Sequence, residues 1–203
     1  MDHNLTAIQR VLDPEDNQTG GGAASAVAGA MGAALIGMVA RLSIGRKDLE
    51  PEVYYRQIDA EAQTLAANLI DGGQADSEAF DAVMAAYQAP KDTPDTKASR
   101  SRAIQQAMIH ATEVPLANAH WNARGLALWG KLSGRSNPNA ASDLDCALYL
   151  LRAGLLGALS NIRINLKLIK DEQVVNQISQ DIHTLEDILD RYPTKEPEFG
   201  TAT

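Results

Sequence analysis

An all-α fold, a single multi-helical bundle, is what this sequence predicts, and three observations carry the prediction. Strand-type alternation is almost missing from the 203 residues, whereas the helical spacing of Ala, Leu, Glu and Gln runs nearly end to end. Apolar residues make up 45% of the chain but aromatics only 4%, so the core has to be built from small and aliphatic side chains, which suits closely packed helices. No internal repeat or linker interrupts the pattern, and the length fits one domain spanning residues 1–203.

A short amphipathic helix is expected from about Leu5 to Leu12, ended by Asp13-Pro14. After the Gly20-Gly21-Gly22 loop, Ala23 to Leu42 reads as a helix whose Gly29, Gly32, Ala33 and Gly37 let neighbours approach closely, with Gly45 as its stop. Glu52 to Ile70 follows, closed by Gly72-Gly73, and then a separate helix from Asp76 to Tyr87 that aligns Phe80 and Met84 on one face. Pro90 and Pro94 bracket a loop. Lys97 to about Leu132 is helical, with Pro115 as a kink or break. A loop at Gly134 to Pro138 leads to helices over Ala140–Ile169 and Glu172–Leu189, and Tyr192 to Thr203 reads as a loosely ordered polar tail.

Charge and cysteine usage narrow the setting. The net charge of −8, without a Lys/Arg block, argues against a nucleic-acid partner held through phosphates. One cysteine, Cys146, leaves no internal disulfide framework, and no basic-then-apolar leader opens the chain, so a cytoplasmic protein is expected. Asn17 to Ala40 carries no charge and is long enough to suggest a membrane span. Its Ala/Gly content and the lack of an aromatic belt favour a buried central helix instead, with no membrane partner.

Four constellations contain residues able to do chemistry. Thr19-Gly20-Gly21-Gly22 opens a helix, so its backbone N–H groups can face an anion, or another helix can pack on the bare backbone. Asp76, ahead of Phe80, is either a helix cap or a functional carboxylate. Pro90-Lys91 with Arg100 and Gln105 places cations near a rigid loop, as surface charges or as holders of a carboxylate or carbonyl. Asn137-Pro138-Asn139 with Ser142-Asp143 precedes Asn161 and Asn165, two amides on one helical face that either bond other helices or read a heterocycle edge. The four histidines are scattered and no Glu-x-x-His motif occurs, so no metal site is expected.

In this order and spacing the constellations resemble the formiminotetrahydrofolate cyclodeaminase and bacterial methenyltetrahydrofolate cyclohydrolase family, from about Asn17 to Asp171. Gly29 to Leu35, Gly45-Arg46-Lys47, Ala79-Phe80, Val83-Met84, Thr93, Val114-Pro115-Leu116 and Asn139 join the residues above in carrying the resemblance. It implies the family's own all-α fold, a homodimer, and a tetrahydrofolate derivative as substrate with no permanently bound cofactor. It also implies Asp76 as acid/base and Asp143 as its electrostatic or hydrogen-bonding partner, or the two in exchanged roles, with Asn161 and Asn165 along the pteridine edge, Lys91 and Arg100 at the glutamate tail, and Gly20, Gly21 and Gly22 as points of backbone approach. The chain departs from the family pattern at Gln18-Thr19, where the family has Thr-Pro, at Ala23, commonly Ser or Gly, and at Ala89, commonly Leu. With no formiminotransferase domain attached, and with Ala79 to Met84 ahead of Tyr87, the chain looks closest to stand-alone cyclohydrolases; cyclodeaminase activity and a non-catalytic folate-binding scaffold are the alternatives.

Overall fold

The computed structural model describes residues 6–16 and 19–194. Among these the chain forms six helices and no strand: α1 (Thr6–Leu12), α2 (Gly21–Ser43), α3 (Glu52–Gln88), α4 (Pro94–Leu132), α5 (Ala141–Leu166) and α6 (Glu172–Arg191), with a short 3₁₀ turn at Pro138–Ala140. The expected start at Leu5 lies outside the described residues.

Helix α2 is the axis of the bundle, held between α3 and α5 with α4 behind it. Small residues make this possible. A Cβ on Gly32 would sit 2.7 Å from Leu151 of α5, one on Gly37 would sit 2.8 Å from Asp59 of α3, and one on Gly29 would overlap the Asn122 amide of α4. The core around α2 is aliphatic, with Ile36, Leu65, Leu126, Leu151, Leu155, Ile162 and Leu185 fully buried. By length and composition α2 and the 138–166 segment are each apolar enough to cross a membrane, and α2 is mostly buried against its neighbours.

One expected helix break does not occur, and Pro115, expected as a kink or break, does not interrupt its helix. Gly72-Gly73 does not end a helix; α3 runs through it without interruption. The glycines serve packing there: Gly72 lies against the Asn118 side chain, which donates to the Gly72 carbonyl at 3.2 Å, and Gly73 faces Ala23 of α2. Asp76 is therefore inside a helix and not at a cap. Pro115 likewise sits within a continuous α4. That helix begins three residues earlier than expected because Thr93 and Thr96 form a capping box ahead of Pro94.

At the other end, α5 stops at Leu166, and Asp171 caps α6 by accepting from the N–H groups of Gln173 and Val174. The tail is anchored at its start. Tyr192 packs edge-on against Trp129 with centroids 6.1 Å apart, and its carbonyl accepts from Arg152; residues 195–203 lie outside the described range. Gly45 takes the left-handed φ of 69° just past α2, as its place in the sequence implies.

Candidate functional site

A cleft of about 690 Å³ opens between the start of α2, the second half of α3, the middle of α4 and the end of α5. Its walls are apolar: Phe80, Met84 and Tyr87 on α3, Met108 on α4, Ile164 on α5 and Leu168 just beyond it. Phe80, Met84, Tyr87, Ile164 and Leu168 stay largely exposed to the open space. A smaller apolar cluster of Ala79, Val83, Met108, Ala111 and Ile169 supports the floor.

The polar end of the cleft is built around Asp76. Asn161 donates from Nδ2 to Asp76 Oδ1 at 3.0 Å, and the Ala23 backbone N–H donates to the same carboxylate. Ala23 lies in the first turn of α2, where N–H groups have no helical acceptor and Gly20 offers no side-chain cap. Asp76 thus caps α2 from across the bundle and feels the positive end of its dipole. Gly22 is what allows it in, because a Cβ there would occupy the space of the Asp76 carboxylate and the Asn161 amide together. Burial raises the Asp76 pKa above its ordinary 3.8, with the Asn161 and Ala23 hydrogen bonds pulling the other way. A carboxyl group poised in this way can both take and return a proton.

The loop ahead of the glycines is tethered to the same point. Arg10 of α1 donates to Asp16 at 2.7 Å, Asp16 accepts from the Thr19 N–H and hydroxyl, and the Thr19 hydroxyl lies 3.4 Å from that of Ser77, the residue after Asp76. Asn165 stands one turn beyond Asn161 and donates to its Oδ1 at 3.4 Å and to the Ala111 carbonyl at 2.7 Å.

Of the residues the sequence singled out, Gly20, Gly21, Gly22, Asp76, Asn161 and Asn165 meet in this cleft. Asp143 does not line it. It occupies the first turn of α5, at the other end of the helix from Asn161, about 27 Å away at 1.5 Å per residue. A direct Asp76–Asp143 pair within one chain is thereby corrected, and the carboxylate faces the positive end of the α5 dipole instead. Lys91 is exposed in the α3–α4 loop. Arg100 donates twice to the Tyr87 carbonyl, with its guanidinium 5.7 Å from the Tyr87 ring centroid, so it braces a wall of the cleft without lining it. Gln105 clamps the α5–α6 connection through Leu168 O and the Lys170 N–H. Asn137 is structural, donating to Leu42 O while its N–H meets Ser43 Oγ. Tyr87, Met108, Ile164 and Leu168 were not singled out; for Tyr87 the available signal was the stripe it shares with Phe80 and Met84, for Ile164 and Leu168 the one shared with Asn161 and Asn165, and for Met108, alone on α4, there was none. Among the described residues no three His, Cys, Asp or Glu side chains gather, and Asp76 is the one carboxylate among the residues lining this cleft.

Residues 5–184 match the family described as Formiminotransferase-cyclodeaminase. The chain belongs to this family. It is 38% identical over 167 residues to the methenyltetrahydrofolate cyclohydrolase of Methylorubrum extorquens, covering 82% of this chain and 80% of that protein. It is 37% identical over 188 residues to the formimidoyltransferase-cyclodeaminase of Sus scrofa, covering 89% of this chain but only 34% of that much longer protein. Its structure is similar to the crystal structure of formiminotetrahydrofolate cyclodeaminase from Thermotoga maritima, with a TM-score of 0.80, 28% identity, and coverage of 91% of this chain and 88% of the other.

Within this formiminotransferase-cyclodeaminase fold two of the departures from the family pattern are physically mild, whereas Thr19 gives Asp16 an N–H and a hydroxyl that a proline there could not supply. Ala23 meets Asp76 through its backbone, so the exchange of Ser or Gly for Ala leaves that contact in place. Ala89 is the C-terminal cap of α3, where its N–H reaches Ala86 O. Gln18 lies outside the described residues.

Proposed function

We propose that the protein hydrolyses methenyltetrahydrofolate to formyltetrahydrofolate in the α2–α3–α5 cleft, with Asp76 as the acid/base. The observation that carries this reading is a half-buried carboxyl group, held by Asn161 and by the N-terminus of α2, at the polar end of an apolar cleft. Water adding to the cationic methenyl carbon must lose a proton, which Asp76 accepts. When the tetrahedral adduct opens, one carbon–nitrogen bond breaks, Asp76 returns the proton to the departing ring nitrogen, and the adduct's hydroxyl gives its proton to solvent as the formyl C=O forms, so one proton is released overall. The carboxylate also offsets the positive charge of the amidinium before water adds. Phe80 and Tyr87 offer aromatic surface to the flat parts of the folate, and Lys91 and Arg100, beyond Tyr87, are the cations available to tail carboxylates.

The second reading is cyclodeamination of formiminotetrahydrofolate, favoured by the likeness to the Thermotoga and Sus scrofa proteins. It needs the same proton shuttle, with ammonia leaving from a similar adduct. Supplying the methenyl and formimino substrates separately to pure protein, and following methenyl absorbance and ammonia release, separates the two reactions. Loss of methenyl absorbance without ammonia is the expected result. Release of ammonia with a rise in methenyl absorbance would establish the deaminase, and neither signal would mean a non-catalytic folate binder.

The same reading makes the protein a cytoplasmic homodimer without resident cofactor and without a nucleic-acid or membrane partner. In support of the dimer, α2 exposes Ala24 and Met31, and α5 exposes Tyr149, Ala153 and Leu156, none of them charged. Antiparallel two-fold pairing through these residues would bring the Asp143 end of one α5 toward the Asn161 end of the other. The partnership of Asp143 with Asp76 therefore belongs to the dimer, and Asp143→Asn tests it through turnover.

A further inference from the structure

We propose that Pro115, outside the cleft, is a positioning residue for Asp76, because the hydrogen bond that Pro115 cannot make leaves Ala111 O free to anchor the Asn165–Asn161 pair. In a regular helix the carbonyl of residue 111 accepts from the N–H of residue 115. Proline has no N–H, and its ring pushes the carbonyl four residues back off the helix axis. Ala111 O therefore lacks its helical partner inside an otherwise continuous α4, and Asn165 Nδ2 of α5 takes it at 2.7 Å.

The rest of the chain of contacts is directional. Asn165 gives its amide protons to Ala111 O and to Asn161 Oδ1, so Asn161 must turn its own NH₂ the other way, toward Asp76 Oδ1 at 3.0 Å. A flipped Asn161 would set an oxygen against the carboxylate. Fixing one end by a proline thus fixes which group meets Asp76 at the other. This account rests on the reading of Asp76 as the acid/base, but the link itself is a matter of titration and can be measured without turnover.

Few charges compete with this link. Helix α2 carries no ionisable side chain before Arg41, which is paired with Asp59 of α3. On α4, His110 and Glu113 are exposed; on α5, Arg163 pairs with Glu186 of α6. On α3, Asp71, Glu78 and Asp81 are exposed, Tyr87 lines the cleft, and Asp16 holds Thr19 behind Ser77.

The test uses four proteins: wild type, N165A, P115A and the double variant. The Asp76 carboxyl is followed by ¹³C NMR titration, assigned with D76N, alongside the pH dependence of kcat/KM on methenyltetrahydrofolate. The amide N–H favours the ionised carboxyl, so losing or misdirecting it raises the Asp76 pKa and moves the corresponding limb of the profile to higher pH. A shift of about half a pH unit or more is expected in N165A and in P115A, and the double variant should shift no further, because both changes break one link. P115A should melt at or above wild type, since alanine restores the helical N–H. In the double variant the same N–H satisfies Ala111 O, so melting should recover relative to N165A while Asp76 stays shifted. A P115A titration that overlays wild type, shifts that add, or a double variant less stable than N165A would overturn the proposal. Full turnover in D76N would instead overturn the acid/base role, with the NMR titration still deciding the link.

Discussion

At the scale of single residues, the site turns on the absence of a side chain at one position and the burial of another. Gly22→Ala puts a methyl group where Asp76 and Asn161 meet. Displacing a reacting group by about an ångström costs on the order of 10²-fold in rate, so kcat should fall by about that factor while circular dichroism keeps its helical signature. Asp76→Asn removes the proton carrier and should cost about 10²- to 10⁴-fold in kcat. Its effect on stability has a defined sign. A carboxyl whose folded pKa is raised contributes stability that is fully present below 3.8 and is lost as pH rises through the folded value. The melting-temperature difference between wild type and D76N should therefore move against wild type over that window. A difference that is flat with pH would contradict the burial argument. These residues were visible in the sequence as types, but their pairing was not, because Asp76 and Asn161 are 85 positions apart and only tertiary packing joins them.

At the scale of helices, glycine and proline were the residues most easily misread. Local punctuation makes Gly72-Gly73 a stop and Pro115 a kink or break, yet both helices run on, at Gly72-Gly73 because tertiary contacts outweigh a backbone preference of about 1 kcal/mol for each glycine. A contrast between neighbours tests this. Gly72→Ala gains helix propensity but drives a methyl group into Asn118, and should destabilise by about 1–3 kcal/mol in urea unfolding. Gly73→Ala meets Ala23 O at an ordinary 3.5 Å and should be neutral or slightly stabilising. Equal effects at the two positions would mean that packing does not explain the continuous α3. Helix α2, by contrast, was legible throughout, since an uncharged run rich in small residues leaves little choice but a central, tightly surrounded helix. The ends of α4 and α6 were legible in part: the Thr93 and Asp171 caps are local features, but they stand beside prolines and loops that obscure them.

At the scale of the whole molecule, the uncharged face of α2 and α5 predicts self-association. Met31→Asp and Leu156→Glu, each at a site 49% exposed, should convert a dimer to monomer in sedimentation equilibrium without loss of helix content. If wild type is itself monomeric at micromolar concentration, that face has another use. The position of α2 has a consequence for any such assembly. One rod carries the cradle of the carboxylate at its tip and the outward face along its flank, and Gly29, Gly32 and Gly37 seat it closely against α4, α5 and α3. If copies pair on that flank, their contact bears on the same helix that cradles Asp76, and specific activity should then weaken on dilution.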